Sequence, residues 1–335
     1  MRRTLAGLLA VALAAVAAAA DPQAGYKLEQ TVPVKGDGGW DYLTVDPAGR
    51  RVYVSHGTVV DVLDADTGEI KGRIADTAGV HGIAVAADLG RGFTSNGRAD
   101  TVTAFDLKTL KPLVAVKTGK NPDAILYDPA TKRVFAFNGG SKSATVIDAT
   151  DDKVAGTIDL GGKPEGTTTD GAGHVFVNLE DTAEVLRLDA RDLKVLDRWS
   201  VAPAKLPVSL AIDPSTDRLF VGCRSKQLLV LDAKTGKAVA TLPIGERVDA
   251  GAFDPETRLA FCSCGDGTVT VVRQDGPDKY VAVGSIETRP GSKTMALDPK
   301  THRLYLPAAE FKPAAKGGGR PAMVPGTFAV LVFGR

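Results

Sequence analysis

Asp46-Pro47-Ala48-Gly49-Arg50-Arg51-Val52-Tyr53-Val54 opens a pattern that the chain repeats seven times. A turn begun by Asp-Pro, or by a degenerate form of it, leads into an Arg or His and a short β-rich run. The next copies read Ala86-Ala87…Arg91-Gly92-Phe93-Thr94, Asp128-Pro129…Arg133-Val134-Phe135 and Asp170-Gly171…His174-Val175-Phe176-Val177. Asp213-Pro214…Arg218-Leu219-Phe220-Val221, Asp254-Pro255…Arg258-Leu259-Ala260-Phe261 and Asp298-Pro299…Arg303-Leu304-Tyr305-Leu306 complete the set. The copies begin at 46, 86, 128, 170, 213, 254 and 298, a period of 40–44 residues. Several strands in a unit of that length is the spacing of a propeller blade, not of a helical solenoid. The expected fold is all-β, a seven-bladed β-propeller of four-stranded antiparallel blades.

Blade 1 illustrates the unit. Asp41–Val45 reads as the inner strand, Arg51–Ser55 as the second, Val59–Leu63 as the third and Glu69–Ile74 as the fourth. The turn before the fourth strand, Asp64-Ala65-Asp66-Thr67-Gly68, returns as Asp232-Ala233-Lys234-Thr235-Gly236. Runs such as Val59-Val60-Asp61-Val62-Leu63 suit strands buried between neighbouring blades. The last copy supplies three strands only, around Thr294–Leu297, Arg303–Leu306 and Phe328–Phe333. Lys27–Val32 resembles the fourth strands elsewhere, so the N-terminal strand is expected to complete the last blade and leave no open edge.

Residues 1–20 read as a signal peptide. Arg2 and Arg3 precede an Ala/Leu-rich stretch from Leu5 to Ala17, and Ala18-Ala19-Ala20 is a small-residue cleavage site before Asp21. The stretch is short for a membrane span. Residues 21–335 are then a single propeller domain of an exported protein, periplasmic or secreted and expected to be a monomer. A Gly/Pro/Ala-rich loop at 312–326 is expected to be flexible. Without Arg2 and Arg3 the chain holds 39 basic residues against 40 acidic ones, a net charge of −1. Charges are spread through every repeat, which gives nucleic-acid binding no support. Three cysteines in an exported chain do not make a disulfide scaffold.

A closed ring has an axial funnel, and the funnel is where function is expected. Aligned on their turns, the copies place Asp41, His81, Asp123, Glu165, Val208, Asp249 and Lys293 where the chain enters each inner strand. The ends of the second strands are expected to add His56, Asn96, Asn138, Asn178, Glu180, Cys223, Ser263 and Glu310 to the same face. His174 and His302 fall in the turns of the opposite face. A ring with four carboxylates and one Lys should be negative and suit a divalent cation (Ca, Mg or Cu) or a small polar ligand, with His81, Asp123 and Glu165 as candidate metal ligands. The alternative is plain polar lining of a water-filled channel. Cys223, Cys262 and Cys264 allow a copper site, a disulfide or buried packing thiols. Trp40 is either a stacking surface or core. No Gly-x-Ser-x-Gly is present, and the Gly-rich runs 36–39 and 317–319 lack the strand–loop–helix setting of a phosphate cradle.

Lys120-Asn121-Pro122-Asp123-Ala124-Ile125, Gly162-Lys163-Pro164-Glu165-Gly166 and Thr145-Val146-Ile147-Asp148-Ala149 resemble the YVTN repeat. The mature chain is similar to YncE-type bacterial seven-bladed propellers. That resemblance implies the propeller fold, export and a binding or accessory role. The leading expectation is a non-catalytic protein that binds a small polar ligand or a periplasmic protein partner through its polar funnel face. One alternative is a metal-dependent enzyme of lactonase or lyase type. It would have Glu165, His81 and Asp123 around the cation and His56 or Glu310 as acid/base. The other is an accessory protein of a periplasmic redox or copper system.

Overall fold

A computed structural model describes residues 24–36, 38–313 and 321–335. The signal-peptide stretch 1–20 and the middle of the expected flexible loop, 314–320, lie outside the described residues. The described chain forms seven four-stranded antiparallel sheets arranged as blades. The inner strands are Leu43–Asp46, Val80–Ala86, Pro122–Asp128, Pro164–Thr169, Pro207–Asp213, Val248–Asp254 and Ala296–Asp298. Helix is limited, among the described residues, to a 3-10 turn at Ala87–Leu89. No helix there is long and apolar enough to cross a membrane.

Burial follows position in the blade. The second and third strands of blade 1, Arg51–His56 and Val59–Asp64, are almost wholly buried, because a neighbouring blade covers each face. The outer strand of blade 2, Pro112–Lys117, buries only Val116. Inner strands converge on the axis, where side chains have little room. A Cβ on Gly166 would lie 2.4 Å from the Val208 carbonyl oxygen, so only glycine lets these two backbones approach.

The repeat signature becomes a set of turns and locks. Asp46 Oδ1 accepts the N–H groups of Ala48 (3.1 Å) and Gly49 (2.9 Å), and the turn ends with Arg50 in the left-handed region. The Arg that follows spans to the next blade. Arg51 donates to the Leu107 carbonyl, Arg91 pairs with Asp152, and Arg133 donates to the Ala190 and Arg191 carbonyls. Arg218 reaches the Pro277 carbonyl and Asp278 in the same way. The turn of blade 4 is one residue shorter than that of blade 1, and His174 takes the strand-opening place of Arg51. The turn of blade 6 keeps the length of blade 1, but Arg258 takes the left-handed place of Arg50 and Leu259 opens the strand.

Closure is as expected. Lys27–Pro33 pairs antiparallel with Ala329–Gly334, which pairs with Arg303–Ala308 and through it with Ala296–Asp298. Tyr305 donates to the Ala65 carbonyl (2.7 Å) and Arg50 pairs with Asp298 (2.7 Å), both joining blade 7 to blade 1. The flanks of the 312–326 segment form a paired stem, with Lys312 N–H donating to Ala322 and Val324 N–H to Glu310 (2.8 Å each). Removing Lys27–Val32 would strip blade 7 of its outer strand and open an edge. We expect one cooperative transition about ten degrees or more below that of the intact chain in a calorimetric melt. An unchanged melting temperature would rule out closure as a source of stability.

Candidate functional site

Six of the seven aligned positions meet in one cavity. Asp41, His81, Asp123, Glu165, Asp249 and Lys293 line a funnel of about 820 Å3, with Trp40, Tyr42, Arg98, Asn121, Lys163 and Arg224. Below it the channel narrows to about 150 Å3 between inner-strand backbones, and Tyr42 borders both spaces. Val208, the apolar member of the series, lines the narrow part. Blade 5 instead sends Arg224 into the cup from the hairpin after its second strand.

The cup divides by blade into two arcs. On blades 1–3, His81 Nδ1 donates to Asp41 Oδ2 (2.7 Å) and lies 3.7 Å from Asp123 Oδ1. On blades 4–7 acids and bases alternate in a chain. Lys163 Nζ donates to Glu165 Oε1 (2.6 Å) and Glu180 Oε2 (2.7 Å). Arg224 donates to Glu180 Oε1 (2.6 Å) and Asp249 Oδ1 (2.7 Å). Lys293 Nζ closes the chain on Asp249 Oδ2. The expected negative ring is thus corrected. Lys163 and Arg224, which no alignment of inner-strand positions picks out, join Lys293 against the carboxylates.

Protonation follows from this geometry. Burial, then the nearby Asp123 carboxylate, pushes Glu165 up to about 8 despite Lys163. Burial also raises Asp123, to about 6, with His81 opposing the rise and Asp41 adding to it. His81 loses charge stability to burial, yet the hydrogen bond to Asp41 and the field of Asp123 outweigh that and raise its pKa. Burial and then the fields of Asp249, Asp41, Asp123 and Glu165 hold the Tyr42 phenol well above its usual range. Tyr42 therefore stays a proton donor at the floor of the cup.

The second-strand residues need correction. His56 is buried, with Nδ1 bonded to Asp61 Oδ2 (2.8 Å) and its ring against Phe328. Asn138 is buried and donates to Ser143 (3.1 Å) and Thr145 (3.0 Å). Asn96 does the same to Thr101 and Thr103. Asn178 and Ser263 precede the strand-end place by one residue; that place is taken by Leu179 in blade 4 and by Cys264 in blade 6. Asn178 bonds to the Ser209 carbonyl of the following blade, and Ser263 to the Ser292 carbonyl in the loop that enters blade 7. None of these lines the cup. Glu310 is exposed, and its backbone N–H donates to Thr327. Of this group only Glu180 reaches the charged arc. His174 and His302 pair with Asp170 and Asp254 (2.7 Å each) in turns between first and second strands. Trp40 stacks on Phe328 at 4.9 Å, as the core role expects, and also lines the cup.

The metal-ligating set changes too. Asp41, His81 and Asp123 offer ligand atoms within 4.8 Å of one another, whereas Glu165 is taken up by Lys163. Cys223, Cys262 and Cys264 are free and buried. Burial raises Cys223 and Cys264 to about 12 and Cys262 well above its usual value, so of the three alternatives the geometry fits buried packing thiols.

Two measurements probe these assignments. A thiol reagent at pH 8 should label none of the three cysteines until the chain is unfolded; fast native labelling would contradict burial. Glu165 is raised in the folded state, so its stabilising contribution is full below its unfolded pKa of about 4.3 and is lost as pH rises toward 8. Glu165→Gln should therefore narrow the fall in melting temperature between pH 5 and pH 8.5, by about two degrees or more. An unchanged or larger fall would contradict a protonated Glu165.

The family described as outer membrane protein assembly factor BamB matches residues 98–309, more than half of the chain. A chain of Kuenenia stuttgartiensis hydrazine synthase superposes with a TM-score of 0.70 at 19% identity, covering 82% of this chain and 94% of that one. A chain from the crystal structure of a mitotic checkpoint complex superposes with a TM-score of 0.77 at 16% identity, covering 100% and 99%. At such identities the likeness is of fold. No curated protein matches the sequence significantly.

Proposed function

The chain belongs to the propeller family described as outer membrane protein assembly factor BamB, and from that premise we propose an exported binding protein whose funnel cup holds a small charged ligand. Residues 1–20 act as the export signal and 21–335 as the mature propeller, in the periplasm or outside the cell. The repeat signature supports a YncE-type propeller. The observation that carries the binding reading is the convergence of charged side chains from all seven blades on one cavity of about 820 Å3. That volume lies in the range of small-molecule sites.

A catalytic reading has one point in its favour. Glu165, up at about 8, is an acid of the kind a lactonase or lyase needs near neutral pH. His56 and Glu310 lie outside the cup, so that chemistry would rest on Glu165 and Tyr42. A divalent cation would sit at Asp41, His81 and Asp123. The redox or copper reading loses its thiols to the core.

Thermal-shift and calorimetric titration of the mature chain tests the binding reading. The panel comprises Ca2+, Mg2+, Cu2+ and small carboxylates, amines and amino acids. At least one should raise the melting temperature. Asp123→Asn or Arg224→Met should then weaken it about tenfold or more, the value of one lost charge-assisted contact. A panel without any effect would sink the reading.

A further inference from the structure

Resting on that binding reading, we propose that the cup recognises a zwitterion, an amino acid or short peptide. Its carboxylate would sit on the arc of blades 4–7 and its ammonium on the arc of blades 1–3. The two arcs offer opposite unfilled valences.

On blades 4–7 the surplus is of donors. A lysine ammonium has three N–H groups and a guanidinium has five. Lys163 spends two, on Glu165 and Glu180; Arg224 makes two bonds, to Glu180 and Asp249; Lys293 makes one, to Asp249. Each keeps free donors, and the three side chains remain 40%, 35% and 44% exposed. The acids of this arc are committed, since both oxygens of Asp249 and both of Glu180 already accept a cation. Burial raises Glu165 toward its neutral form, which lessens the negative charge set against the three cations. A carboxylate entering here meets unfilled cationic donors, among them the fork of Arg224, which suits bidentate recognition.

On blades 1–3 the surplus is of acceptors. Asp41 uses one oxygen on His81, and Asp123 makes no contact with a cation closer than the 3.7 Å to His81. Asp41 and Asp123 face one imidazolium and the exposed Arg98, and an ammonium would fill carboxylate oxygens that no described protein group fills. Tyr42, at the floor, has a hydroxyl that bonds to no protein group among the described residues. It supplies a neutral donor to the ligand's middle, such as a peptide carbonyl.

Calorimetry at pH 7 with trialanine, N-acetyl-trialanine, trialanine amide and alanine tests the pairing of ends. Trialanine or alanine should bind, and blocking either end of trialanine should weaken it tenfold or more. Asp123→Asn should abolish discrimination against the acetylated form alone. Arg224→Met should abolish discrimination against the amide alone, with Lys293→Met as its substitute if that variant does not fold. Equal binding of the acetylated form would make the cup a plain anion site, and equal binding of the amide a cation site. Either result overturns the zwitterion while leaving a charged-ligand site intact. Binding of a metal or a carboxylate from the wider panel, with none of trialanine or alanine, overturns it likewise. Silence from every compound in both panels removes the binding reading itself.

Discussion

Lys27–Pro33 lies against Ala329–Gly334, and everything near the axis depends on that pairing. Seven sheets close into a ring only if each has two neighbours and the last blade has its fourth strand. Without closure the inner strands would have no common axis, and residues spaced some forty positions apart would not share a cavity. Closure also removes the exposed edge of Ala329–Gly334, which would otherwise offer unpaired backbone groups to another chain. The ring is therefore both the source of the site and the protection of the fold.

Two further devices hold the blades at fixed angles. On the face away from the cup, Arg51, Arg91, Arg133 and Arg218 reach the outer turns of the following blades. Nearer the axis, Ser95 and Asn178 bond to inner-strand carbonyls of the next blade, and Ser263 to the Ser292 carbonyl in the loop that enters blade 7. These contacts satisfy carbonyls that the blade's own ladder leaves open, a requirement for buried backbone. They leave the entry positions of the inner strands free of structural duty, so those side chains can be polar at little expense to packing.

The repeat made the fold legible because period and turn chemistry report directly on strand spacing. It also located Asp41, His81, Asp123, Glu165, Asp249 and Lys293, since each sits a constant distance before the end of an inner strand. The second-strand ends were less legible for a reason of register. In blade 6 the signature Arg258 sits in the left-handed turn position, one residue before the strand opens, so Ser263 falls one residue short of the strand end, as Asn178 does in blade 4. In a strand one residue reverses the face. His56 and Asn138 were placed at the right strand end, yet their side chains turn between blades rather than toward the axis. Lys163 and Arg224 were missed because they lie beside the aligned positions, and only the folded chain brings them to the carboxylates. A spacing rule finds residues at equivalent positions; it does not find partners recruited from a neighbouring loop.

Blade 5 offers a comparison internal to the molecule. Its aligned residue, Val208, is apolar and buried, and the ring closes around it as well as around the charged members. Closure therefore does not require a charge at this position. The charged members carry a burden that Val208 avoids: Glu165 and Asp249 are buried carboxylates, and burial raises Glu165 so far that it holds its proton near neutral pH. Lys163, Arg224 and Lys293 offset that burden, but a chain of ion pairs repays desolvation only in part. An apolar ring would relieve the strain on the fold, as Val208 does locally. Six charged positions kept at such expense, with donors unfilled on one arc and acceptors on the other, are better explained by an incoming ligand than by the needs of the propeller.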